Sequence, residues 1–292
     1  MSSAPNPRTA ASIAYQPTAG QFLMFGGDTV INGGVQSVAE TWLWNGQSWT
    51  RDGGTGPSAR AFAVMAYDVA HGKVILYGGQ YDVAGKSPAS LFDLWLWDGA
   101  QWAVNSSAPA PKLVRPTGVY DVARANLVLF GIGDSGPETW LWNGSQWSAA
   151  KPAHSPPASS GAGMAYVTST KQVVLFGGGG GGLGRLNDTW LWDGTDWRNP
   201  QLSPAPPARL SPTFVSGEQA ILFGGGGNVG ALADTWRWDG TQWAQLNAAH
   251  VPPARRAAAG ASDGSYLVVV GGDSAGLVAD AWRWDGSDWK QC

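Results

Sequence analysis

The sequence predicts an all-β protein, a six-bladed β-propeller with four antiparallel strands per blade. Each blade is built from one contiguous repeat, with no shared closing strand. Two observations predict it. The segment Trp-x-Trp-(Asp/Asn)-Gly-x-x-Trp occurs six times and consumes all 18 tryptophans. Upstream of each copy stands a short apolar run ending in glycine, and repeats of this length signal a stacked array of identical units. Gly (42) and Pro (19) are also far too frequent for a helical chain.

The first Trp of each copy is Trp42, Trp95, Trp140, Trp190, Trp236 and Trp282. Upstream of the apolar run lies Pro-x-x-Arg, intact at Pro5 to Arg8, Pro57 to Arg60, Pro206 to Arg209 and Pro252 to Arg255. Strand A runs from this Arg through small residues, as in Arg60 to Tyr67. Six innermost strands crowd one axis, and Gly, Ala and Ser relieve that crowding. Strand B is the apolar run, for example Val74 to Gly79, whose unbroken hydrophobicity means that both faces are covered. Strand C carries Trp-x-Trp and strand D the third Trp. Asn-Gly or Asp-Gly between them suits a tight hairpin. A two-residue loop there would set Trp42 opposite Trp49. A single domain over 1–292 is expected, with blades at about 8–50, 60–103, 113–148, 159–198, 209–244 and 255–290. The chain begins just before a strand A and ends just after a strand D, so six complete blades are expected.

An acidic residue stands two positions before the first Trp of every copy: Glu40, Asp93, Glu138, Asp188, Asp234 and Asp280. A glycine pair after an apolar strand, then this acid, then a distal Trp, resembles the kelch repeat over essentially the whole chain. The resemblance implies a propeller with strand A lining a central channel. It implies no chemistry, because kelch propellers serve both as binding modules and as enzymes. The third copy departs from the pattern, reading Gly131-Ile132-Gly133.

What recurs in six copies reads as scaffold, which assigns the Trp residues and the acids before them to structure. Antiparallel topology gathers the B–C and D–A loops on one face, and these are the long, variable ones: Asp28–Ala39, Gln80–Phe92 and Gly177–Gly184. Function concentrates on such loops. Arg8, Arg60, Arg209 and Arg255 are expected to ring the channel mouth there, with Arg115 displaced by two residues in the third copy. Asp28, Gln80, Asp134 and Asp273 follow the glycines. Together they could hold a carboxylate or other polar ligand; the alternative is that Arg and Asp pair with each other. Tyr81 and Asp82, without counterparts in other copies, are the candidates for acid–base work.

Composition narrows the partners. With 13% charged residues and a net charge of −3, no nucleic-acid footprint is present. No apolar stretch is long enough for a membrane span and no signal-peptide pattern opens the chain, so a cytoplasmic monomer is the simplest reading. Gly177 to Gly182 matches GxGxxG, but no helix follows it. His71, His154 and His250 lack metal-motif spacing, no cofactor is expected, and Cys292 is the sole cysteine. Two functions stay open. One is a binding module for a protein, peptide, glycan or small polar molecule. The other is a small-molecule isomerase, epimerase or cyclase at the same channel mouth.

Overall fold

The computed structural model describes residues 4–82, 87–106, 110–180, 182 and 184–292. Parts of the expected Gln80–Phe92 and Gly177–Gly184 loops therefore lie outside the described residues. Six four-stranded antiparallel sheets follow one another along the chain, each in the order A-B-C-D, with a two-stranded hairpin added to the first. Every sheet takes its four strands from one repeat. Among the described residues no helix is long and apolar enough to cross a membrane.

The inner strands are Ser12–Gln16, Val64–Asp68, Val114–Asp121, Gly163–Val167, Thr213–Val215 and Ala259–Ser262. Each contacts the next, and the last contacts the first, closing the ring. They begin later than the Arg of each repeat. The residue two positions after that Arg site adopts positive φ in every blade: Ala10, Phe62, Arg115, Gly161, Ser211 and Ala257. The kink turns the chain from the mouth into the channel wall. Backbone hydrogen bonds from Phe62 to Ala10, Ala10 to Ala257, Ala257 to Ser211, and Ser211 to Gly161 tie these kinks into an arc across five blades.

The glycine pairs join neighbouring blades. The second glycine donates its N–H to the carbonyl of the next blade's Arg, from Gly27 to Arg60, Gly178 to Arg209 and Gly225 to Arg255. Gly272 to Arg8 completes the circle at 2.8 Å. A Cβ on Gly271 would lie 2.5 Å from the Arg8 carbonyl oxygen, and its φ of +66° already favours glycine. Close backbone approach thus explains why this repeat needs glycine here.

The tryptophans fill the space between blades, and none of the 18 is exposed. Their register differs from the two-residue hairpin expected. Trp44 lies opposite Trp49, and Trp42 opposite Arg51. The cause is the Asx side chain: Asn45 Oδ1 accepts from the N–H groups of Gln47 and Ser48, building a four-residue turn. Only Gly46 of the Asn45-Gly46 pair has positive φ, whereas a two-residue type I′ turn needs two such residues. The second and third Trp of each blade pack together, with centroids 5.7 Å apart for Trp44–Trp49 and 5.2 Å for Trp142–Trp147. Each such pair adds about 0.5–1.5 kcal/mol beyond its buried area.

Two of the loops expected to be irregular carry strand structure. In blade 1, Asp28–Ile31 and Gly34–Ser37 form a hairpin closed by Asn32-Gly33, both at positive φ. In blade 2, strands B and C extend to Lys73–Tyr81 and Ala89–Trp97, with Tyr81 opposite Ala89. The cross-strand β-branched pair Val30 and Val35 and an I′-forming Asn-Gly account for the hairpin.

Candidate functional site: the channel mouth over blades 1 to 3

The structure brings the mouth residues together in two different ways. Arg8, Arg60, Arg209 and Arg255 are buried, 0–2% exposed, with their guanidinium groups engaged inside the scaffold. Arg209 shows the pattern. Nη1 and Nη2 each donate to an Asp234 carboxylate oxygen at 2.7 Å, Nη1 also to the Gly224 carbonyl at 2.8 Å, and Nε to the Pro207 carbonyl at 2.9 Å. Arg60 with Asp93 and Arg255 with Asp280 repeat the bidentate arrangement, and Arg8 with Glu40 makes a single bond at 2.7 Å. The same carboxylate accepts from the indole N–H of the first Trp, as from Trp236 to Asp234 at 2.7 Å. Burial alone would raise the Asp234 carboxyl, but the hydrogen bond and charge of Arg209 outweigh it and hold the group below its usual range.

Blades 3 and 4 have Leu113 and Ser159 at the Arg position, both buried. Ser159 Oγ and the Trp190 indole nitrogen are buried without a partner there. A second recurrent bond joins blades: the third Trp donates to the Thr before the first Trp of the preceding blade. It is present from Trp102 to Thr41, Trp197 to Thr139, Trp243 to Thr189 and Trp289 to Thr235. Leu94 replaces that Thr in blade 2, and the Trp147 indole nitrogen is left buried without a partner among the described residues.

Arg115 is different. It stands at the kink position of blade 3, exposed, in the wall of the channel. Its Nε donates to Gln80 Oε1 at 2.7 Å, and its guanidinium lies 4.8 Å from the centroid of the Phe62 ring. Among the described residues that is the guanidinium's one hydrogen bond, so Nη1 and Nη2 stay open to the mouth. Gln80 is itself 8% exposed and held by backbone bonds with Ala61. Side chain and ring thus fix the plane of the cation before any ligand arrives.

Beside it lies a pair of carboxyl groups. Ser37 Oγ donates to Asp28 Oδ1 at 2.7 Å and accepts from the Asp82 N–H at 2.9 Å, linking the blade 1 hairpin to blade 2. Burial pushes the Asp28 carboxyl above its usual range against the Ser37 bond; the neighbouring Asp82 charge adds to the rise and Arg115 opposes it. Asp82 Oδ1 is buried with no hydrogen-bond partner among the described residues. Tyr81, the last residue of the blade 2 strand B, is 42% exposed, as Val30 and Val35 of the hairpin are at 56% and 51%. The two acid–base candidates therefore do not converge on one point.

The remaining residues are scattered. Asp134 is exposed in the blade 3 B–C turn, and Asp273 pairs with Arg256 at 2.8 Å in blade 6. His154 and His250 each place Nδ1 within 2.8 Å of an aspartate, Asp196 and Asp288, as a feature repeated in two blades. His71 pairs with Asp68 in a blade 2 A–B turn. Sequence reasoning missed Phe62, Ser37 and Arg256. Phe62 had a signal: aligned on the kink, the other copies read Ala10, Gly161, Ser211 and Ala257, and only Phe62 and Arg115 are large.

The ring of six four-stranded blades, the glycine seams and the acid–Trp signature define a kelch-type propeller. The family description "KLHDC2/KLHL20/DRC7 Kelch-repeats domain" matches residues 137–291, more than half of the chain, and the protein belongs to the kelch-repeat family. A solved structure titled "Structure of YjhT" is similar at TM-score 0.72 and 13% identity, with 100% of this chain and 99% of that chain covered. That likeness is one of fold alone. No curated protein matches the sequence.

Proposed function

We propose that this propeller is a binding scaffold whose ligand sits at the mouth of the central channel, on the face of the B–C and D–A loops. The observation that carries the reading is Arg115: of the mouth arginines the sequence singles out, it alone has Nη donors without a hydrogen bond among the described residues, and it is already oriented by Gln80 and Phe62. Arg8, Arg60, Arg209 and Arg255 support the reading from behind, by making the rim rigid. Asp28, Gln80 and Asp82 complete the polar edge, while Asp134 and Asp273 mark its margins. The partner is a small molecule or an exposed segment of a protein.

A second reading has one observation in its favour. Asp28 holds its proton more tightly than an ordinary carboxyl and lies beside Asp82, an arrangement suited to proton transfer in an isomerase, epimerase or cyclase. A crystallographic fragment screen tests the site. Fragments are expected to collect against Arg115, Gln80 and Phe62, and to vanish from that position in Arg115→Ala. Clustering on the A–B turn face, with an empty mouth, would reject the proposal.

A further inference from the structure

The channel behind Arg115 has walls of a particular chemistry. Six inner strands enclose about 630 Å³, within the roughly 300–1,000 Å³ of small-molecule sites. Half-buried Ala63, Met65, Val119, Ala162, Phe214 and Ala258 contribute to its wall. Some of the hydroxyls there are engaged within the protein, while those of Tyr15, Tyr67, Thr117, Ser160 and Ser211 also line the cavity. Ser12 Oγ donates to the Ala63 carbonyl at 2.6 Å and Thr213 Oγ1 to the Ala258 carbonyl at 3.0 Å, each across a blade seam. Toward the far end, the Tyr166 hydroxyl accepts from the Ala123 N–H at 3.2 Å. The wall thus offers a ligand carbon surface interspersed with hydroxyl and backbone groups.

Charge is confined to the two ends. Among the described residues, Arg115 and Asp263 are the only charged side chains lining the cavity. Asp263 lies in the turn after Ala259–Ser262, at the opposite mouth from Arg115. Arg115 attracts an anion at one end, against the Asp28 and Asp82 carboxyls beside it, and Asp263 repels one at the other. At Arg115 the Nε edge is taken by Gln80, which leaves the end-on Nη1/Nη2 pair, a fork that matches the two oxygens of a carboxylate.

We infer that the site takes an amphipathic monoanion, its carboxylate on Arg115 Nη1 and Nη2 and its apolar body inserted between the inner strands of the channel. This rests on the reading that the mouth at Arg115 is the binding site, and adds the class of ligand. A polyanion fits poorly, because further negative charges entering the channel lose water and meet no second cation among the described lining residues. A straight-chain fatty acid and an aryl carboxylate share the chemistry required.

Methionine methyl groups report on it directly. Met65 and Met164 line the channel, whereas Met24 is buried among blade residues away from it. The full chain, labelled at the methionine methyls and at arginine Nε, is titrated by NMR with octanoate, 2-naphthoate, octanamide and acetate. The expected result is saturable movement of the Met65 and Met164 methyls and of Arg115 Nε with one or both apolar acids, and a still Met24. Affinity should fall at least tenfold for octanamide and for acetate, and at least tenfold for the acids in Arg115→Ala. Arg115 is exposed, so this variant retains the fold; the relative strength of octanoate and 2-naphthoate tells an aliphatic from an aromatic body. If acetate binds as well as octanoate and moves only Arg115, the ligand class is wrong while the mouth reading stands. Methyl shifts of equal affinity in Arg115→Ala would overturn the carboxylate contact. No response at Arg115 or at the channel methyls to any probe would sink both.

Discussion

Replacing Arg209 by Met removes the fully buried half of an ion pair and leaves the other, partly exposed half in place. Arg209 is 0% exposed and the Asp234 side chain 17%. The substitution strips Asp234 of two donors at 2.7 Å and deprives the Gly224 carbonyl of its side-chain donor. Breaking such a pair from one side costs about 3–5 kcal/mol. Partial exposure lets Asp234 recover some solvation, which places the expected loss near 3 kcal/mol, roughly a hundredfold or more in the folding equilibrium. Urea denaturation followed by tryptophan fluorescence measures it. Arg209→Met with Asp234→Asn removes the stranded charge while keeping an oxygen for the Trp236 indole, and should recover more than about 1 kcal/mol. The pH dependence follows in sign. The folded Asp234 carboxyl titrates below its unfolded value near 3.8, so the pair contributes stability above that pH and loses it as pH falls through the folded value. Arg209→Met should flatten this acid limb. A loss under about 1 kcal/mol, or no recovery in the double variant, would refute the assignment of these arginines to the scaffold.

Three further outcomes are expected. Gly271→Ala, whose Cβ would meet the Arg8 carbonyl oxygen at 2.5 Å, should cost more than about 2 kcal/mol, while Gly230→Ala, with nothing within 4 Å, should stay within about 0.5 kcal/mol in the same denaturation assay. Thr189→Val keeps shape but removes the acceptor of the Trp243 indole, and should cost about 1–2 kcal/mol by thermal unfolding. Asp28 has the opposite linkage to Asp234: its folded carboxyl titrates above the unfolded one, so its contribution is full below the unfolded value and is lost as pH rises through the folded value. Asp28→Asn should therefore gain stability relative to the parent between pH 3.5 and pH 7, and an unchanged difference across that range would contradict the raised carboxyl.

The architecture was legible because its signals are local and repeated. Trp-x-Trp, the apolar run and the glycine pair lie within one repeat, and six copies make the blade count unambiguous. What escaped was side-chain partnering over distance. Arg60 and Asp93 are 33 residues apart, and each alone reads equally well as a ligand contact; pairing them needed the fold. The Asn-Gly signal was visible but ambiguous, since the same dipeptide makes a type I′ hairpin at Asn32-Gly33 and a four-residue turn at Asn45-Gly46. What separates them is the Asn45 side chain, whose oxygen accepts from the N–H groups of Gln47 and Ser48, as Asp98 does from those of Ala100 and Gln101. Arg115 was found in sequence as a displaced member of the arginine series. It occupies the kink position instead, where small residues are the rule, and that is why its side chain escapes the scaffold.

Solvent exchange of arginine side-chain protons, resolved by nitrogen-edited NMR, most directly separates the scaffold arginines from the site arginine. Slow exchange is expected throughout the guanidinium groups of Arg8, Arg60, Arg209 and Arg255, with fast Nη exchange and a slowed Nε at Arg115. Protected Nη protons at Arg115, or free exchange at any of the other four, would contradict the division on which the proposed site depends.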